Sequence, residues 1–155
     1  MKKTIERTSS LAVILLLASL FLTKGCKKPV EEGPSPAEQQ ITNISKSWTV
    51  ESVTFQGSED RTADWAGFTI TITSGKTYST SGAFSPGPWP ASGTWDFVQD
   101  NGGTVNINKI VRDDGMEVSI SVSAAALTMT FTYNDTVNNG GRSDAINGEY
   151  VFKMK

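Results

Sequence analysis

The stretch MEVSISVSAAALTMTFTY, residues 116–133, decides the fold. Met116, Val118, Ile120 and Val122 alternate with Glu117, Ser119, Ser121 and Ser123. After the Ala124–Ala126 link, Leu127, Met129, Phe131 and Tyr133 alternate with Thr128, Thr130 and Thr132. Successive side chains of a strand point to opposite faces, so a period of two over these residues gives two strands, each with one dry and one wet face. The wet face is built from serine and threonine, which suit β geometry and do not invite aggregation.

The same period extends outward on both sides. Trp48, Val50 and then Val53, Phe55 make a first strand, with a change of face between the pairs. Phe68, Ile70 and Ile72 carry a second, Lys76–Thr80 with Tyr78 a third, and Gly93–Val98 with Trp95 and Phe97 a fourth. Thr104–Arg112 is the fifth, less regular around Lys109; the opening pair are the sixth and seventh, and Tyr150, Phe152 and Met154 mark the eighth. Ser74-Gly75, Asn101-Gly102-Gly103, Asp113-Asp114-Gly115 and Ala124–Ala126 are short connections, three of them with glycine where a hairpin wants positive φ.

Consecutive hairpins describe a meander, whereas a Greek-key sandwich needs long crossing connections. The long connections 56–67, 82–92 and 134–147 follow strands one, three and seven. In an antiparallel meander they therefore share one end. The expected architecture is all-β: an eight-stranded antiparallel up-and-down barrel with a loop-rimmed mouth, a β-sandwich being the alternative. A short helix precedes it, started by Ser35-Pro36-Ala37-Glu38 (serine cap, proline in the first turn, glutamate three on) and running to about Ser45 with Ile41 and Ile44 on one face.

The amino terminus has a different design. Met1–Arg7 is basic overall, and Leu11–Leu22 is a charge-free apolar run. That is the layout of a secretion signal; a membrane-spanning helix needs about 20 apolar residues. Leu22-Thr23-Lys24-Gly25-Cys26 is similar to a lipobox, with Gly25 as the small residue before the cysteine. The resemblance implies cleavage before Cys26, which becomes the lipidated first residue. Lys27–Ser35 is polar, with two prolines and a glycine, and reads as a tether. The domain organisation expected is thus residues 1–25 signal peptide, 26–35 flexible tether with lipidated Cys26, and 36–155 barrel. The implied location is the bacterial cell envelope, lipid-anchored, with residue 27 other than aspartate favouring the outer membrane.

The helix leading into Ser47-Trp48-Thr49-Val50, with the later Ser92-Gly93-Thr94-Trp95-Asp96-Phe97, resembles the lipocalin-like domains of lipoproteins from Bacteroidetes-type bacteria over residues 40–155. In lipocalins a first-strand tryptophan within Gly-x-Trp closes the barrel floor. Trp48 matches it, and Lys46 stands in the glycine position. The resemblance implies a barrel that takes small apolar molecules.

Composition narrows the chemistry. Of 14 basic and 16 acidic residues, four bases and one acid fall in 1–25, so the remainder is acidic and a poor match for nucleic acid. There is no histidine, and Cys26 is the one cysteine, which removes the commonest general base, any internal disulfide and any thiolate zinc site. No catalytic motif, metal site or cofactor site is present, and an enzyme is not expected. Glu59, Asp60 and Asp64 lack the spacing of a calcium loop and read as a solvated acidic loop.

Candidate ligand contacts are aromatic. Trp89, among the prolines of Phe84–Pro90, and Trp65 lie on mouth loops, where they either rim a site for an apolar or glycan ligand or fold inward as plugs. Trp48, Tyr78 and Trp95 face the interior, as pocket lining or as core. Arg142 sits on the last mouth loop, able to grip a carboxylate or pair with Asp144. The two functional expectations are a small-ligand binder with its site at the mouth and a filled barrel serving as a protein-interaction module in an envelope assembly.

Cys26→Ser is expected to release the protein into the soluble fraction and abolish incorporation of radiolabelled palmitate; labelling retained by the variant would refute lipidation at this residue.

Overall fold

Strands with one apolar face can all be satisfied at once by a sheet that curls until its last strand meets its first. The computed structural model, which describes residues 33–83, 87–134 and 146–155, has this arrangement within the unit Pro34–Lys155. Residues 1–32, including the expected signal segment and Cys26, lie outside the described residues, as does Arg142. Helix α1 (Pro36–Ile44) is followed by β1 (Ser47–Phe55), β2 (Glu59–Asp60), β3 (Thr69–Ile72), β4 (Thr77–Ser81), β5 (Ser92–Gln99), β6 (Val105–Arg112), β7 (Glu117–Val122), β8 (Leu127–Tyr133) and β9 (Gly148–Met154). Eight of these strands are those expected from the two-residue period; the two-residue β2 is an addition.

From β3 onward each strand pairs antiparallel with the next, and β9 returns to β1 through Val53↔Phe152 and Phe55↔Tyr150. A single sheet closed in this way is an up-and-down barrel and leaves no place for a second stacked sheet. Strand β1 serves three neighbours. One flank pairs with β9; the other pairs with β3 at Ser47–Thr49 and with β2 at Thr54 and Phe55.

The change of face within β1 is a β-bulge. The register with β9 shifts between Val50 and Ser52, so Trp48 and Val53, five apart, both turn inward and are buried. A second shift lies between Phe97 and Val98, which pair with Ile110 and Asn106 respectively. The residues left over between those partners account for the irregularity around Lys109.

By the antiparallel pairing β1, β4, β6 and β8 end at the mouth, and connections 73–76, 100–104 and 123–126 lie at the other end. Helix α1 closes that other end. Ser35 caps it, its Oγ accepting from the Glu38 amide at 3.3 Å while its own amide donates to Glu38 Oε2 at 2.7 Å. Gln40 Nε2 donates to the Ile107 carbonyl on β6 at 3.0 Å, and Ile44 is buried. Trp48 lies fully buried beneath the helix, its Nε1 donating to the Ile44 carbonyl at 2.9 Å. Lys46, in the position where a Gly-x-Trp motif has glycine, lies over the Trp48 ring at 3.9 Å and donates to the Ala124 carbonyl at 2.8 Å. The ammonium thus lies on the tryptophan ring and ties the end of α1 to the β7–β8 turn.

At the mouth, Gly82 follows β4 with φ of 72°, and a Cβ there would sit 2.6 Å from the Gly67 carbonyl oxygen. Gly82→Ala combines a strained φ with a backbone clash and should cost about 1–3 kcal/mol. Gly102→Ala, where a Cβ meets nothing within 4 Å, serves as the neutral control. Thermal unfolding of both variants checks this; equal midpoints would contradict it.

Candidate functional site

The two mouth tryptophans turn inward. Trp65 ends a 3-10 turn, Thr62–Trp65, that is pinned to β1: the Val53 amide donates to Thr62 Oγ1 at 3.0 Å, and the Thr62 amide donates to Asp60 Oδ1 at 2.9 Å. Its ring is 1% exposed and meets Phe152 at 4.7 Å and Phe68 at 5.1 Å, both edge-on. Trp89, 4% exposed, sits edge-on to Phe131 at 5.4 Å. Phe68 and Phe152 touch both tryptophans, so the mouth half of the barrel is one aromatic cluster. Such rings contribute through buried area and edge-to-face geometry together.

The acidic loop is engaged with its own arginine. Arg61 Nε bonds Glu59 at 2.6 Å, its NH1 reaches Asp64 at 3.3 Å, and the guanidinium lies 5.0 Å from the Phe55 ring.

Of the residues picked from sequence, Tyr78 and Trp89 come together. Tyr78 contacts Trp89 with ring centroids 6.0 Å apart, and Trp95 packs on Phe97 at 5.4 Å. Trp48 is at the opposite end, and Trp65 joins the group through Phe68.

The organiser of this group is Arg112, which the sequence reading left as the end of a strand. It is the cross-strand partner of Trp95 and only 4% exposed. Its guanidinium donates from NH1 to the Pro88 carbonyl at 2.7 Å and pairs bidentately with Asp114 through Nε and NH2. It also lies 4.8 Å from the Trp89 ring and 5.9 Å from that of Tyr78. A buried guanidinium must be paired and hydrogen-bonded. Here the pairing fastens the loop carrying Trp89 into the barrel. The signal available in the sequence was phase: Arg112 follows Ile110 by two and so points inward with it.

Tyr78 lies across from Gly93, where a Cβ would come within 2.6 Å of the phenol oxygen and 2.7 Å of Asp113 Oδ1. Glycine in the Ser92–Trp95 strand is therefore the space for a tyrosine hydroxyl. Burial pushes the Tyr78 phenol above its ordinary value, Asp113 and Asp114 add to the rise, and Arg112 opposes it. Among the described residues, Tyr78 OH, Trp89 Nε1 and Trp95 Nε1 are buried donors without a hydrogen-bond partner.

The described residues also form an open groove of about 630 Å3, on the outer wall near the mouth, between β7 and β8. No group of histidine, cysteine, aspartate and glutamate side chains that could hold a metal ion occurs among the described residues. No known family model matches the chain, and no curated protein matches it.

Burial pushes the Asp114 carboxyl up, but the hydrogen bonds from Arg112 and the Met116 amide, with the Arg112 charge, outweigh it and hold the group below the ordinary carboxylate value. A carboxyl held down in the folded state binds fewer protons there than in the unfolded chain. Its contribution is complete above about pH 4, the unfolded aspartate value, and is lost as pH falls through the lower folded value. Asp114→Asn should therefore lower the melting temperature at neutral pH, with the gap to wild type closing below about pH 4; a gap that stays constant with pH would contradict the pairing.

Proposed function

We propose that this chain is a lipid-anchored envelope lipoprotein whose barrel is filled and non-catalytic, acting as an interaction module that engages another envelope component from outside. The observation that carries this reading is the inward position of both mouth tryptophans, with Arg112 fastening the Trp89 loop in place. An eight-stranded barrel has an interior that side chains alone fill, and these aromatics occupy the half where a lipocalin-type ligand would enter. The anchor rests on the basic and apolar run before Cys26 and on the lipobox-like residues at 22–26. Two or more acyl chains make attachment lasting, where a single chain binds only marginally.

A second reading, a small ligand inside the mouth, is favoured by the three unpartnered donors on Tyr78, Trp89 and Trp95 beside Arg112. Such a ligand would bring acceptor atoms and would have to displace Trp89. Arg142, placed by sequence on the last mouth loop, belongs to this reading as a further grip on a carboxylate.

Tryptophan fluorescence separates the two. Titration of the full-length protein in detergent with laurate and with retinol should leave the emission unchanged, and photo-crosslinking in intact cells should capture a specific envelope partner. A saturable emission shift with either lipid, lost in Tyr78→Phe, would replace the filled-barrel reading by the second one.

A further inference from the structure

The outer wall carries two hydroxyl-rich faces that differ in one respect. Across β1, β3, β4 and the β3–β4 turn, six hydroxyls bond one another in pairs, Thr69 with Ser81 at 3.1 Å, Thr71 with Ser47 at 3.2 Å and Thr73 with Thr77 at 2.7 Å, while Thr49 and Ser79 stand outside these pairs. On β7 and β8, Ser119, Thr130 and Thr132 make no side-chain hydrogen bond among the described residues, and all three line the groove.

The groove exists because the wall parts there. β7 and β8 pair from Val122↔Leu127 up to Ser119↔Thr130 and no further, although β7 still pairs with β6 at Glu117 and β8 with β9 as far as Tyr133↔Gly148. The resulting opening, about 630 Å3, falls in the range of small-molecule sites, roughly 300–1,000 Å3.

Its charges are largely cancelled from within. Lys109 bonds Glu117 at 2.6 Å, and Asp114 is held by Arg112, leaving Glu149 as the one lining carboxylate without an ion-pair partner among the described residues. Met116 and Tyr133, both half-buried, supply an apolar part of the lining. Free hydroxyls that both donate and accept, one spare acceptor carboxylate and an apolar patch match a ligand with alternating hydroxyls on one side and C–H groups on the other. An anionic ligand would meet Glu149 with like charge.

We propose that the groove between β7 and β8 binds a neutral saccharide of one or two rings, free or at the end of a longer glycan. This rests on the filled barrel, which makes the outside the recognising surface, and it names the chemistry of one partner.

The test is threonine-methyl NMR on the full-length protein in detergent, titrated with maltose, cellobiose and N,N′-diacetylchitobiose, each beside its hexasaccharide. Saturable shifts of the Thr130 and Thr132 methyls, with Thr69 and Thr71 silent, are expected for at least one sugar. Tighter binding of the hexasaccharide would mark a glycan chain as the source, equal binding a free sugar. Thr132→Val, which keeps the branched shape a strand prefers, and Glu149→Gln should each weaken binding at least tenfold, while Thr71→Val leaves it unchanged. Shifts that fail to saturate, that map elsewhere, or that persist unweakened in both groove variants would overturn the proposal. So would crosslinking from position 132 to a protein without any response to sugar. Because the lipid titration reads Trp65 and Trp89 inside the barrel, loss of the saccharide site leaves the filled-barrel reading standing, and an interior lipid shift removes that reading by itself.

Discussion

The seam between β1 and β9 governs the molecule. Without it the remaining strands would be an open sheet with two free edges and an apolar face turned to water. With it, each of the eight barrel strands has neighbours on both flanks, and the apolar faces look at one another across an interior occupied by buried side chains. Phe55 and Tyr150 meet along this seam with ring centroids 4.8 Å apart, and Phe152 beside them touches both mouth tryptophans. Closure thus creates the volume and places its first fillers in the same step. The loops complete the filling, Trp65 from the turn after β2 and Trp89 from the β4–β5 connection. The same closure explains why β1 carries a bulge. A strand that pairs on both flanks along a closed, coiled sheet must turn, and the extra residue between Val50 and Ser52 supplies the turn while keeping Trp48 and Val53 on one side.

How much of this is legible in the sequence follows from what kind of information each feature needs. Strand identity is local: the alternation in 116–133 is visible within a few residues, and so were the ends at which the long connections fall. The face change in β1 was also visible, as a break in phase, and its cause became clear only with the β9 register. Trp48 and Trp95 were legible as interior residues and are buried, whereas Trp65 and Trp89 were legible as residues but not as positions, since the loop sequence around them fits either a rim or a plug. What settles their place is the available volume, a property of the whole ring. Arg112 was missed because a charge at a strand end ordinarily points to solvent. Its burial depends on Asp114, two residues on, and on the Pro88 carbonyl, which is distant in sequence. Gly93 belongs to the same class. The Tyr78 phenol that needs its vacancy is on the neighbouring strand. The parting of β7 from β8 left no mark in a period that runs unbroken through both strands.

Arg112 and Lys46 show how the two ends of the barrel are finished by the same means. At the mouth, a guanidinium lies beside the Trp89 ring and bonds a carbonyl of its loop; at the far end, an ammonium lies over the Trp48 ring and bonds the Ala124 carbonyl. In each case a cation joins an aromatic plug to backbone from another part of the chain, so that plug and cover are held as a unit. The difference is burial: Lys46 keeps contact with water, whereas Arg112 does not and requires the Asp114 carboxylate.

The hydroxyl ladders on β1, β3 and β4 have a further consequence for how the surface repels its neighbours. An open sheet relies on lysine and glutamate to stop strand-to-strand association. A ring without edges is released from that need, and here the wall between Lys76 and Glu51 is neutral Ser and Thr over several strands. Such a wall keeps other molecules away through the water its hydroxyls hold rather than through charge. Dissolved ions screen charge and leave that hydration in place, so this side of the protein presents the same face in fresh and in saline surroundings.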